Sequence, residues 1–340
     1  MSMDKTICIV PHQPGLGGPA SFQARFSRVL KDRGYRVTHV ILDPVNYAVL
    51  VVGGTKYISQ LRQAKKAGVR IIQRLNGMNW VHRKRNTGVR HFLRADVNNY
   101  ILKTIRQMAD GIVYQSDFSR DWWNRVYGQA RAQTIVVHNG VDLQEFTPDG
   151  PGNRPADKFR ILLVEGNLGG GYEQGLLTAV EMVQLLNRRM DKITELMVVG
   201  KASGDLKAMV SEQGVDIDWK GVVPREDIPA IDRSAHVLFS ADINAACPNS
   251  VIEALACGLP VIGYDTGSLK ELVVEGSGEI APYGSDVWKL GKPDIHALAD
   301  AAQKVLLSQP RYSKKAREHA LAEFDIQTVT DRYLAMLFAD

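Results

Sequence analysis

Asn249-Ser-Val-Ile-Glu253-Ala-Leu-Ala-Cys-Gly258-Leu-Pro260-Val-Ile262 is the stretch on which the fold of this chain turns. Pro248 before it cannot donate an N–H, so Asn249 and Ser250 are expected to cap a helix starting near Val251. Gly258 would end that helix, and Pro260 would open a strand through Tyr264. A short helix running straight into an apolar, β-branched strand is one unit of a parallel sheet covered on both faces. Helix N-termini offer unpaired N–H groups and a positive dipole end, which suit an anion such as a diphosphate. Glu253 lies about one turn inside.

The same alternation extends in both directions. Before the linker-like Asp149–Pro155, strands are expected at Lys5–Val10, Arg36–Leu42, Ala48–Val52, Arg70–Leu75, Gly111–Gln115 and Thr134–His138. Helices are expected at Ala20–Arg33, Thr55–Ala67 and Phe92–Ala109. The pattern then restarts. Strands are read at Arg160–Val164, Glu195–Val199, Ile217–Lys220, His236–Ser240, Pro260–Tyr264 and Gly278–Ala281, with helices at Tyr172–Arg189 and Leu206–Gln213. Residues 294–340 read as nearly all helical, broken near Gln309-Pro310 and Phe324-Asp325. Two doubly wound α/β domains follow, with ligands expected beyond the carboxyl ends of the strands, in a cleft between the domains.

The 340 residues are 45% hydrophobic and 23% charged, which excludes a disordered, collagenous or coiled-coil chain. No apolar run approaches the ~18–20 residues of a membrane helix. The start shows no charged-then-apolar leader. Cys8, Cys247 and Cys257 are too few and too scattered for a disulfide framework or a zinc cluster. Reduced thiols and a cytoplasmic location are expected. Residues 1–150 hold 22 Lys and Arg against 10 Asp and Glu, whereas the remainder hold 20 against 27. The basic half should attract an anion: phosphate, anionic lipid or nucleic acid.

Four motifs in order resemble the family 4 glycosyltransferases, which have the GT-B fold. They are the loop Gly15-Leu-Gly17-Gly18, the segment His138-Asn139-Gly140-Val141-Asp142 with Phe146-Thr-Pro148, the Asn249–Pro260 block, and Thr266-Gly267 leading to Glu271. The resemblance covers almost the whole chain. It implies an N-terminal acceptor-side domain over 1–150, a nucleotide-sugar-binding domain over 151–322, and a helix over 323–340 crossing back to the first. The implied activity is metal-independent hexosyl transfer from a nucleotide-diphosphate sugar, with retention of configuration, in polysaccharide or glycoconjugate synthesis. The nucleotide sugar is a co-substrate, and no cofactor is implied. By resemblance the donor site holds Gly17, Gly18, Gly166, Asn167, Lys201, Asn249, Ser250, Val251 and Glu253, with Glu253 on the ribose hydroxyls.

Several positions depart from the family. Ala245 stands where a carboxylate is usual eight residues before Glu253, and Asp242 or Asn244 is expected in its place. Asn167 and Gln174 stand where the family has diphosphate-binding cations, so Gly169–Gly171, Lys201 or Arg225 would compensate. In place of a family histidine the chain reads Gln73-Arg74-Leu75-Asn76-Gly77, which makes Asn76 and Arg74 the catalytic candidates with Asp242; His82, His91 and His138 are substitutes. Asp216-Ile-Asp218 has the spacing of a divalent-cation pair but lies in a strand-like segment, and no metal is expected there.

Residues 79–94 carry Arg83, Lys84, Arg85, Arg90 and Arg94 and no acid. This is either a solvated face or a patch for an anionic lipid-linked or glycan acceptor and a membrane surface, giving a protein on the cytoplasmic face. No nucleic-acid motif is present. Alternatives of the same fold are a catalytically degenerate nucleotide-sugar-binding protein and a nucleotide-sugar epimerase.

Overall fold

A computed structural model of the chain describes residues 5–13, 15, 17–85, 87–169 and 173–339. The chain forms two compact units, Met1–Asp142 with Asp325–Asp340, and Leu143–Phe324.

In the first unit β1 (Thr6–Val10), α1 (Gly18–Asp32), β2 (Arg36–Thr38), β3 (Asn46–Val52), α2 (Ile58–Lys66), β4 (Arg70–Leu75), α3 (Val89–Met108), β5 (Gly111–Tyr114), α4 (Asp117–Tyr127) and β6 (Gln133–Val136) follow in order. The six strands are parallel, in the order β2-β1-β3-β4-β5-β6. Successive side chains of a strand point to opposite faces. Ile7, Ile9, Leu50 and Val52 accordingly pack on one face with α1, while Cys8, Val10, Val49 and Val51 pack on the other with Leu61, Ala64 and Ile105. Both faces are covered, hence the unbroken apolar runs.

The second unit is built from β7 (Phe159–Asn167), α5 (Gln174–Arg189), β8 (Thr194–Lys201), α6 (Gly204–Ser211), β9 (Ile217–Gly221), α7 (Ile228–Arg233), β10 (Val237–Ser240), α8 (Asn249–Ala256), β11 (Val261–Tyr264), α9 (Leu269–Leu272), β12 (Gly278–Ala281), α10 (Ile295–Leu307) and α11 (Gln309–Glu323). Its parallel sheet has the order β12-β11-β10-β7-β8-β9. Strand order reverses between β7 and β10 here, and between β1 and β3 in the first unit.

The last helix, α12 (Ile326–Leu337), belongs to the first unit. Its Ile326, Val329, Tyr333, Met336 and Leu337 are buried against Ile7, Phe22, Phe26 and Ile72. Burial of a large apolar side chain contributes about 1.5–3 kcal/mol.

The units divide earlier than the Gly150/Pro151 boundary read from composition. Arg317 donates to the carbonyls of Leu143, Phe146 and Ala256, and Arg233 to those of Thr147 and Pro151. These two guanidiniums fasten 143–151 to the second unit. Other differences are local. β2 stops at Thr38 because Asn46 donates to the carbonyls of Val40 and Ile41 and folds that segment into a turn. The helix α4 was not read from the sequence, although Ser116 caps it by accepting from the N–H of Ser119 at 3.0 Å.

Candidate functional site

In a doubly wound sheet, ligands gather beyond the carboxyl ends of the strands where strand order reverses. In the second unit that point lies between β7 and β10. β7 ends in Glu165, Gly166 and Asn167. β10 leads through Asp242 into α8, which carries Asn249, Ser250, Val251 and Glu253. The fold therefore brings these residues to one end of one sheet. Lys201, the last residue of β8, is the ladder partner of Asn167, and its carbonyl accepts from Leu168 N–H at 2.9 Å. An exposed cation thus sits beside Asn167. Arg225 follows the edge strand β9, two strands from β7 in the sheet order. Gln174 opens α5. Gly170 and Gly171 lie outside the described residues.

The cap of α8 differs from expectation. The capping residue is Pro248, with extended backbone, and Asn249 and Ser250 are the first two helical residues. A proline can take this place because it needs no N–H there. The N–H groups of the first turn, Ser250 and Val251 among them, have no carbonyl within the helix to bond. The Val251 side chain is wholly buried, so only its backbone belongs to the site. Gly267 supports the loop before α8. It has φ +61°, and a methyl group on it would stand 2.6 Å from the Ala245 backbone. Ala245 in turn accepts from Ser268 N–H at 3.0 Å. Asn244, the other stand-in for the missing carboxylate, has φ +57° and is buried. Asp242 is exposed.

Glu165 and Asp242 face each other electrostatically. Burial raises the Glu165 carboxyl, and the Asp242 charge raises it further, to about 8. Loss of water around its carboxyl raises Asp242 to about 6, although the residue as a whole is exposed. Asp242 is exposed by surface area, so solvent screens it, and the shift of half-buried Glu165 is the weightier one. Behind α8, fully buried Asp232 has its carboxyl held well above the usual range by burial and by the charge of Glu253. Glu253 itself is 8% exposed. In the segment read as a cation pair, Asp216 pairs with Lys158 at 3.3 Å and Asp218 with Lys220 at 2.9 Å. Among the described residues no group of three or more His, Cys, Asp or Glu could hold a metal.

In the first unit Gly17 precedes α1 with φ +114°, a conformation that favours glycine, and Gly18 is the first helical residue. Open space surrounds the Cβ position of Gly17. Gln23 ties the loop down by donating to Pro11 O at 2.7 Å and accepting from Gln13 N–H at 3.2 Å. Arg74, named with Asn76 as a catalytic candidate, is buried beneath the carboxyl end of β4. Its guanidinium donates to Asn76 Oδ1 at 3.0 Å, Gln115 Oε1 at 2.8 Å and Asn139 Oδ1 at 2.6 Å, over the Phe22 ring. Asn76 Oδ1 also accepts from Gln115 at 2.7 Å, and Asn76 O accepts from Trp123 Nε1 at 2.7 Å. Arg74 positions Asn76.

Two readings of the basic segment change. Asp96, just beyond it, takes both Arg83 at 2.8 Å and buried His82 at 3.0 Å. Arg83 is therefore neutralised, and His82 is structural. His91 contacts Thr87 at 3.0 Å on the surface. Lys84, Arg90 and Arg94 are exposed, and Arg85 is partly buried.

Glu165 escaped the sequence reading. Its signal was an acid at the end of the apolar run Ile161–Val164, but its meeting with Asp242 depends on β7 lying next to β10.

Residues 151–321 match the family described as glycosyl transferases group 1. The alpha-maltose-1-phosphate synthase of Mycobacterium tuberculosis is 23% identical over 260 residues, 70% of this chain and 65% of that protein. The D-inositol 3-phosphate glycosyltransferase of an Arthrobacter species is 30% identical over 153 residues, 42% of this chain and 36% of that protein. The chain thus spans less than two thirds of the length of either curated relative. The solved sucrose-phosphate synthase of Thermosynechococcus elongatus superposes with a TM-score of 0.75 at 17% identity, covering 98% of this chain and 99% of that one. Anabaena HepE in complex with UDP and glucose superposes with a TM-score of 0.69 at 15% identity, covering 98% and 99%. At such identities the likeness shows the fold alone. No helix among the described residues is long and apolar enough to cross a membrane.

Proposed function

Because the chain belongs to the group 1 glycosyl transferases and has the GT-B fold, we propose that it moves a sugar, with retention of configuration, from a nucleotide-diphosphate sugar to a glycan, lipid-linked or small-molecule acceptor. The observation that carries this reading is the placement of Glu253, buried and one turn into α8, at the switch point of the second sheet. Its carboxylate can accept from two ribose hydroxyls. The first-turn N–H groups and the positive end of α8 suit the diphosphate.

As the sugar–phosphate bond breaks, negative charge grows on the departing diphosphate. The α8 N–H groups and Lys201 stabilise it. The bond to the acceptor oxygen forms on the same face, and the departing phosphate oxygen takes the acceptor proton. No protein base is required, so the amide of Asn76 suffices to orient a sugar hydroxyl. Lys84, Arg85, Arg90 and Arg94 support docking of an anionic acceptor or membrane by the first unit.

A second reading, nucleotide binding without transfer, is favoured by Asn167 and Gln174, which are uncharged where the family resemblance expects cations on the diphosphate. Calorimetry with UDP, GDP and ADP on the wild type and Glu253→Ala tests the proposal. Micromolar binding of one nucleotide, lost in the variant, supports the donor site. No binding of any of the three overturns it. Binding without sugar transfer to any of a broad panel of acceptors favours the second reading.

A further inference from the structure

A pocket of about 720 Å³ opens in the first unit, bordered by the residues that follow β1, β2 and β3. The switch point of this sheet lies between β1 and β3. The pocket is lined by Lys56, His12 and His39 and by no carboxylate. Lys56 has no ion-pair partner among the described residues. His39 donates its Nδ1–H to Ile9 O at 2.8 Å. That bond fixes the tautomer and leaves Nε2 for a ligand. The rings of His12 and His39 lie 4.1 Å apart. Thr55 and Gln60 supply neutral donors.

The helix α3 extends this charge. Arg90, Arg94, Asn98 and Ile101 recur at intervals of four, four and three residues, and therefore share one face. Asn98 and Ile101 line the pocket. Arg94 and Arg90 continue the same face one and two turns toward the helix start, about 6 and 12 Å from Asn98. Both are exposed, and neither is ion-paired among the described residues. The result is a positive track that ends at a pocket with a cationic lining.

We propose that this pocket holds the phosphate group of a phosphate-bearing acceptor, with Lys56, His12 and His39 binding the anion and Arg94 and Arg90 drawing it in. The word acceptor rests on the glycosyltransferase reading above; the anion site rests on the pocket itself. Beside the arginine track, exposed Val89, Leu93, Val97 and Tyr100 share an adjoining face of α3. A lipid-borne phosphate would use that apolar stripe, and a water-soluble one would not.

The test is calorimetric titration of inorganic phosphate into the whole chain, with whichever of UDP, GDP or ADP binds kept at saturation so that the donor region does not compete. Saturable binding is expected, weakened at least tenfold in Lys56→Ala and in His39→Gln. Both positions are exposed, so the fold should tolerate these changes. Co-sedimentation with vesicles of phosphatidylglycerol and phosphatidylcholine separates the sources. Retention of the wild type that is lost in Lys56→Ala and in Leu93→Asp supports a lipid carrier. Phosphate binding without retention supports a soluble phosphorylated acceptor. Absence of phosphate binding, or binding that both variants keep, overturns the proposal. If phosphate binds as expected and no nucleotide does, the anion pocket stands and the glycosyltransferase reading falls.

Discussion

Arg74, near the end of β4, donates to Asn139 Oδ1 at 2.6 Å. Two residues beyond Asn139, Val141 forms a bridge with Asp325, at the entry to α12. One guanidinium thus links a central strand of the first sheet to the segment that seats the last helix. It also fixes the side-chain oxygen of Asn76. The Arg74→Lys substitution cannot serve all three amide oxygens, because the ammonium lacks the guanidinium's planar fork. A loss of about 2–5 kcal/mol of stability is expected. Urea denaturation checks it, and an unchanged midpoint would show that the amides find other partners.

Gly140 is the next point of close approach. A methyl group on it would stand 2.9 Å from the Ile326 backbone and 3.0 Å from Val329. Gly140→Ala should push the start of α12 off its seat. Faster hydrogen exchange at residues 326–337 is expected, with little change in the second unit. Unaltered protection of α12 would count against this packing role.

The pH dependence of stability follows from Glu165. Its folded-state carboxyl is raised to about 8, by burial and then by the Asp242 charge. The unfolded chain ionises near the ordinary value of about 4.3. Stability is therefore full below that value and falls as pH rises toward 8, because the unfolded state gives up its proton first. Glu165→Gln should flatten this decline, melting near the wild type at pH 4.5 and above it at pH 8. Parallel melting curves for the two proteins across that window would refute the assignment.

Lys201 stands beside Asn167 on the ladder between β7 and β8. It is an exposed cation beside the residue at which the family resemblance leads one to expect a charge. A charge-assisted bond contributes about 1.5–3 kcal/mol, less when exposed. Lys201→Ala is expected to weaken nucleoside-diphosphate binding roughly tenfold and leave binding of the bare nucleoside unchanged. Equal losses for both ligands would place Lys201 away from the phosphates.

Much of the fold was legible because parallel strands covered on both faces leave continuous apolar runs. Arg70–Leu75 and Gly278–Ala281 have the bounds read from the sequence. The Asn249–Pro260 block was recognisable for the same local reason: helix, glycine and strand are contiguous there. The cap was misassigned because Pro248 lacks only a group that a helix start does not need. The basic segment was read as having no acid because Asp96 lies two residues past Arg94, and the fold of α3 returns it to Arg83 and His82.

By itself, then, the sequence determined two doubly wound sheets and the helix–strand unit that carries Glu253. Spacing and apolar periodicity act over a few residues, and any chain with that pattern must bury those faces. The tertiary structure alone decided which distant groups meet. Glu165 meets Asp242 because β7 lies next to β10. Arg74 gathers Gln115 and Asn139 because β4 lies next to β5, and the histidines that follow β1 and β2 join Lys56 because β1 lies between β2 and β3. Strand order in a parallel sheet is set by crossovers of many residues, so local spacing does not encode it.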